Sequence, residues 1–256
     1  MTQPEELRAL VESYLGDLAL TPELGGLEES MRHALAGGGK RVRPVLCLAT
    51  AEAAGAEPET ALPAAAALEL VHNFSLVHDD LPALDDDELR RGRPSTWAAY
   101  GEAVAVLAGD ALLAEALRLA LSYPSPAVAR ELAQATLGMI GGQYLDITDT
   151  APDLASLHRL KTGCLFSASV GLGLWAAEVP EREQAPWRAF GDELGLLFQV
   201  VDDILDEDGY VLERGADGAR ALADEAAERA RAALTRVDAD TSVLEGIVDA
   251  LAVRTS

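Results

Sequence analysis

LPAAAALELVHNFSLVHDD, running from Leu62 to Asp80, is apolar around most of its circumference and ends in two carboxylates. Alanine and leucine are strong helix formers, and Pro63 falls in the first turn, where a missing N–H costs nothing. The segment therefore reads as a long buried helix whose polar end needs an explanation. After a break at Pro82 comes a charged stretch through Ser95.

Working outward, apolar spacing of three and four recurs along the chain. It covers about Glu5–Leu18, Leu27–Ala36 and Arg43–Ala54 before this segment. After it come Gly101–Ser122, Ala127–Tyr144, Asp153–Ala176, Pro186–Asp206, Gly218–Val237 and a short Ser242–Val253. Strict alternation, the mark of half-buried strands, does not run over any useful length. No internal repeat, linker or shift in composition divides the 256 residues, so the expectation is one all-α domain over 1–256.

A formal net charge of −23 argues against a general nucleic-acid surface or an anionic-membrane surface. Two cysteines, Cys47 and Cys164, give no disulfide framework and suit a reducing compartment. The opening MTQPEELRAL lacks a basic segment followed by an apolar run, and no uninterrupted apolar stretch is long enough to span a bilayer. The expected location is cytoplasmic.

Two clusters of aspartates carry the chemistry. The first is His78-Asp79-Asp80-Leu81-Pro82-Ala83-Leu84-Asp85-Asp86-Asp87-Glu88. Such a charge run is ordinarily a solvated loop. Here it directly follows a buried helix, where carboxylates are costly unless a metal or cations neutralise them. The second is Asp202-Asp203-Ile204-Leu205-Asp206, after apolar GLLFQVV. Asp202 and Asp206 share a helix face one turn apart. Alone it is the polar end of a core helix, but two apolar helices ending this way point to Mg²⁺, held by one or two carboxylates plus substrate phosphates.

Bound phosphate would need local cations. Gly37-Gly38-Gly39-Lys40-Arg41-Val42-Arg43-Pro44 puts three of them after a glycine run that lets backbone approach an anion, and Arg90-Arg91 follows the first cluster. The chain has only two lysines, Lys40 and Lys161. Lys161 stands in Leu160-Lys161-Thr162-Gly163 within an apolar helical stretch, where lysine is rare unless paired. His72 lies seven residues before Asp79, two turns back along nearly the same face.

GGGKRVRP, LVHNFSLVHDDLPALDDDELRRGRPS, GGQYLDI, LKTG and GLLFQVVDDILD together resemble the trans-isoprenyl diphosphate synthases, specifically bacterial farnesyl and geranylgeranyl diphosphate synthases. The segments stand in the family's order from Gly37 to Asp206. The resemblance implies a helical bundle around a deep central cavity and a homodimer. It implies that Lys40, Arg43, His72 and Arg91 hold the diphosphate of isopentenyl diphosphate, and that Arg90 and Lys161 hold that of the allylic partner. Asp79, Asp85 and Asp202 would be the main Mg²⁺ ligands, three ions per site, with Asp80 and Asp206 in support. Lys161, Thr162 and Gln199 would face the developing allylic cation, and Phe74, a bulky residue below Asp79, would limit the product to C15, with C20 as the alternative. The two extra residues in the first aspartate motif act in the same direction.

The resemblance also marks departures. The family carries a glycine- and lysine-rich closing loop after the second cluster, whereas here Glu207–Arg214 runs almost directly into the helix near Gly218 and no lysine follows Lys161. The reading favours flexible residues absent from the sequence between Asp206 and Tyr210 over a true deletion; the stretch from Gln143 to Lys161 is also short. Two other readings stay open. A catalytically weak partner subunit would be expected to lose one aspartate cluster. A terpene cyclase would not need GGGKRVRP or His72.

Overall fold

A computed structural model of the chain describes residues 1–253. Four helices lead: α1 (Pro4–Gly16), α2 (Leu27–Leu35), α3 (Val42–Ala53) and α4 (Leu62–Asp79). A small hairpin, β1 (Leu89–Arg90) and β2 (Arg93–Pro94), and a short α5 (Thr96–Tyr100) separate them from α6 (Glu102–Ala120) and α7 (Ala127–Ile147). Then come α8 (Leu154–His158), a π-helical turn (Arg159–Gly163), α9 (Cys164–Ala176), α10 (Ala185–Asp206), α11 (Tyr210–Leu234) and α12 (Ser242–Ala252).

Helix α9 is buried on almost every side, and α3, α4, α7 and α10 pack around it. Its neighbour α4 is nearly as deeply buried, from Ala64 to Val71 and again at Asn73, Phe74 and Val77, and lies along α6. The outer helices are half-polar: α11 buries a stripe of alanines (Ala219, Ala223, Ala226, Ala230, Ala233) against α10 and α12. Small side chains allow these axes to approach closely. Pro58–Asp79 is long and apolar enough to cross a membrane, but 67% of its most apolar window is buried within the protein, as expected of a core helix.

Three local features depart from the expected helices. Leu89 to Pro94 forms a hairpin whose turn residues, Arg91 (φ 54°) and Gly92 (φ 74°), both have positive φ, as a type I′ turn requires. The continuous helix expected over Asp153–Ala176 is interrupted by the π-helical turn, where the backbone of Lys161 comes so close to α7 that a Cβ on Gly142 would lie 2.4 Å from the Lys161 nitrogen. Helix α11 starts at Tyr210, not near Gly218, and breaks at Gly215 (φ 75°, ψ 162°), a conformation reserved for glycine. Glu207, Asp208 and Gly209 join α10 to α11.

Candidate active site

Asp79 is the last residue of α4 and Asp202 lies one turn before the end of α10. Burial raises both carboxyls from 3.8 to about 6. At Asp79 the nearby Lys161 charge opposes the rise and Asp85 adds to it; at Asp202 the charge of Asp206 adds and that of Arg43 opposes. Each helix therefore ends in a carboxylate under-compensated by its surroundings. The loop after α4 folds back so that the Asp85 amide donates to the Asp79 carbonyl at 2.9 Å, which keeps the exposed Asp85 beside Asp79. Asp206 is also exposed.

Asp80 points elsewhere. It is only 3% exposed and accepts from the guanidinium of Arg90, with Nε at 2.8 Å, while Arg90 also reaches Asp87 at 3.2 Å. Arg90 and Asp80 are thus paired with each other, and burial pushes Asp80 upward against that pairing. Among the described residues no three Asp, Glu, His or Cys side chains converge into a ready-made metal cage. The donor set is nonetheless all hard oxygen, and Mg²⁺ needs only one or two carboxylates when phosphates complete its shell. The under-compensated Asp79 and Asp202 fit that use.

The cations divide by role. Arg41, in the left-handed region (φ 48°) at the start of α3, is 4% exposed and belongs to the framework. It pairs with the buried Glu69, bonds Glu12 at 2.9 Å and donates to the Leu35 carbonyl at 2.7 Å. Two residues later Arg43 lies 4.7 Å above the Phe166 ring and 5.9 Å from that of Phe198. Burial lowers it to about 10, opposed by Glu69 and Asp202, so it stays charged at neutral pH. Its buried Nε has no partner, which leaves a donor for an anion.

The glycine run and the hairpin, far apart in sequence, meet. Arg91 donates to the Gly38 carbonyl, and a Cβ on Gly39 (φ 135°) would lie 2.7 Å from its Nη1. Lys40 is exposed at the end of that run. His72 is held well below the usual imidazole range, by burial first and then by the charges of Arg43, Arg91, Arg41 and Arg90. It is neutral at physiological pH and lies in the field of four guanidiniums, of which Arg41 and Arg90 are paired with Glu69 and Asp80.

On the other side, Lys161 pairs with Asp146 of α7, and Thr162 beside it is half-buried. α10 packs against this turn one turn before Gln199, where a Cβ on Gly195 would meet the Gly163 Cα at 3.3 Å. A cavity of about 960 Å³ opens between α7, α8, α9 and α10, and of the residues read as site residues only Gln199 lines it. Phe74 is buried in α4 with its ring edge-on to His78, centroids 5.0 Å apart. The sequence reading missed Asp146, although its GGQYLDI segment contains it, and Asp203, which accepts from Gln199 Nε2 and the Tyr210 amide, both at 2.8 Å. Burial works to raise the Asp203 carboxyl, but the nearby His158, with its Nε2 3.4 Å away, and hydrogen bonds from the Tyr210 amide and Gln199 hold it below the usual range.

This arrangement matches known proteins over most of the chain. The family model for polyprenyl synthetase matches residues 25–217. The chain belongs to the polyprenyl synthetase family. That membership makes it a trans-prenyltransferase by class. It is 42% identical over 221 residues to a geranylgeranyl diphosphate synthase of Cyanophora paradoxa, covering 80% of this chain and 74% of that one. It is 41% identical over 198 residues to a farnesyl diphosphate synthase of Bacillus subtilis, covering 72% and 67%. Of a heterodimeric geranylgeranyl pyrophosphate synthase large subunit from Arabidopsis thaliana, 46% identical over 199 residues, it spans only 54%. The crystal structure of an FPP/GFPP synthase from Zymomonas mobilis superposes with a TM-score of 0.85 at 31% identity, covering 98% of this chain and all of that one. The all-helical isoprenoid synthase fold of this polyprenyl synthetase family member is therefore the expected one.

Proposed function

We propose that this chain condenses isopentenyl diphosphate with an allylic diphosphate, giving farnesyl diphosphate. The observation that carries the reading is the pair of under-compensated carboxylates, Asp79 and Asp202, ending two buried helices beside Lys161 and Arg43. Mg²⁺ bound there, three ions with substrate present, would supply positive charge to the departing diphosphate. Asp79, Asp85 and Asp202 would hold it, with Asp206 in support and Asp80 joining once released from Arg90.

The residues would then act in two groups. Lys161 and Arg90 hold the allylic diphosphate as the C–O bond breaks and its electron pair passes to the leaving oxygen. Arg43, Arg91, Lys40 and His72 hold the second diphosphate so that the isopentenyl alkene faces the cationic carbon. Lys161, Thr162 and Gln199 border that carbon, where backbone and amide oxygens favour positive charge. The new C–C bond leaves a cation that loses a proton to the released diphosphate. Apolar walls keep water from intercepting it.

The second cationic site distinguishes this reading from the alternatives. A cyclase handles one diphosphate and has no use for a second cationic group made of Arg43, Arg91 and Lys40 beside His72. A regulatory subunit would be expected to lose one aspartate cluster, and both are intact. The whole chain is read as one catalytic domain, supported by its continuous hydrophobic cluster. A homodimer is supported by an exposed apolar stripe on α7 (Leu137, Ile140, Tyr144, Ile147) and by exposed Val106 and Leu107 on α6, which contacts α7. A cytoplasmic location is supported by two free cysteines; relatives from Capsicum annuum and Catharanthus roseus are chloroplastic by name.

The test is incubation with radiolabelled isopentenyl diphosphate, Mg²⁺ and dimethylallyl, geranyl or farnesyl diphosphate. Chromatography of the dephosphorylated products should show C15 as the end product. No label in any extended chain would defeat the proposal.

A further inference from the structure

Asp203 stands next to Asp202 but 100° further round the helix, and it faces different neighbours. It is 6% exposed. Its Oδ1 accepts from Gln199 Nε2 at 2.8 Å. Its Oδ2 accepts from the Tyr210 amide at 2.8 Å and lies 3.4 Å from His158 Nε2. His158 closes α8 immediately before the turn that carries Lys161 and Thr162. One carboxylate thus ties Gln199 to the segment on the opposite wall.

The chemistry of that contact fixes the direction of the Gln199 amide. An ionised carboxylate can only accept hydrogen bonds, and a glutamine amide has two distinct ends. With the NH₂ end held by Asp203, the carbonyl end must point away from it. The reverse orientation would set two oxygens against each other.

We infer that Asp203 is a positioning residue that locks Gln199 with its amide carbonyl turned toward the Lys161–Thr162 turn, where the allylic carbon becomes positive. The inference rests on the proposed prenyl transfer and deepens it. A carbonyl oxygen facing the cation stabilises it, whereas a freely rotating amide presents its NH₂ end part of the time. Asp203 itself touches neither substrate. Its effect belongs in kcat, because both diphosphates are held elsewhere.

The test is a double-mutant cycle on the full chain: wild type, Gln199→Ala, Asp203→Ala and the double variant, with kcat and both KM values measured at saturating Mg²⁺. Asp203→Ala should lower kcat roughly ten- to hundredfold with each KM within about threefold of wild type. Added to Gln199→Ala, it should cost nothing further. Equal losses in both backgrounds would show that Asp203 acts only by capping α11 and would overturn the inference. An unchanged kcat in Gln199→Ala would also overturn it while leaving prenyl transfer intact; only a wild type that makes no extended chain overturns the reaction itself. Should Asp203→Ala fail to fold, exchanging donor and acceptor serves instead. Gln199→Glu alone sets two carboxylates together and should lose most turnover, and adding Asp203→Asn should restore several-fold. No restoration would count against the contact.

Discussion

Arg41 is the sharpest test of how the cations divide, because a reading of GGGKRVRP alone counts it with Lys40 and Arg43. In the structure it is 4% exposed and has three partners: Glu69, Glu12 at 2.9 Å and the Leu35 carbonyl at 2.7 Å. Glu69 is itself 2% exposed, and its other side-chain partner is Asn73 Nδ2 at 2.9 Å. Arg41→Ala would leave a buried carboxylate with one neutral donor. Breaking a buried pair in this way costs about 3–5 kcal/mol. The exposed Glu12 contact adds little. For a chain of this size each kcal/mol moves Tm by about 2–4 °C, so the loss is roughly 6–20 °C.

Thermal unfolding followed by circular dichroism measures that loss, and the KM for isopentenyl diphosphate, taken well below Tm, measures ligand contact. Arg41→Ala should lower Tm by that amount with KM nearly unchanged. Replacing both partners, as in Arg41→Met with Glu69→Leu, should recover most of the stability, since an apolar pair removes the stranded charge. A Tm drop under about 3 °C together with a tenfold rise in KM would refute the structural assignment and return Arg41 to the binding site.

Four further outcomes are expected. Asp79→Ala or Asp202→Ala should cut turnover by roughly a hundredfold or more while the protein stays folded; near-normal rates in either would end the metal-site assignment. The raised carboxyls give a signed pH effect: between about 4 and 6 the native state holds protons that the unfolded chain releases, so in EDTA stability should fall as pH rises through that window. Solvent screening limits this to about 1 kcal/mol per group, and an Asp79→Asn/Asp202→Asn variant scanned in parallel should lack that slope. Lys40→Ala and His72→Ala should weaken isopentenyl diphosphate binding more than allylic binding, with equal losses counting against the two-group division. Phe74→Ala should lose about 3 kcal/mol of stability and release chains longer than those of wild type, and an unchanged product pattern would mean that Phe74 is core packing only.

Much of the fold was legible because outer helices such as α1, α2, α11 and α12 bury one face against inner ones, so their apolar spacing is strong. Where it was not legible, backbone conformation overrode the side-chain pattern. The hairpin at Leu89–Pro94 has only two residues per strand, too few to alternate, and it is set by positive φ at Arg91 and Gly92. The π-helical turn at Arg159–Gly163 leaves the apolar spacing intact and shows only in how closely α7 approaches through Gly142. The early start of α11 was hidden because Gly215 reads as a helix breaker, and it is one, but inside the element instead of before it.

The site divides along a different line. Carboxylates at the ends of apolar helices could be found in one dimension, since each cluster is contiguous and its helix is visibly buried. Pairings across elements could not. Asp80 and Arg90 look like two independent ligands until the hairpin folds one onto the other. Asp146 becomes informative only when Lys161 is seen to need a partner, and the sequence did contain that clue in a chain with two lysines. Asp203 was invisible for a subtler reason: it is spelled as half of an Asp-Asp pair, and the pair invites one role for both. A helix places adjacent residues 100° apart, so only one of them can face the substrate diphosphates. The other is free to organise what lies behind, and its contact with Gln199 is where the second cluster extends from binding charge to orienting a dipole.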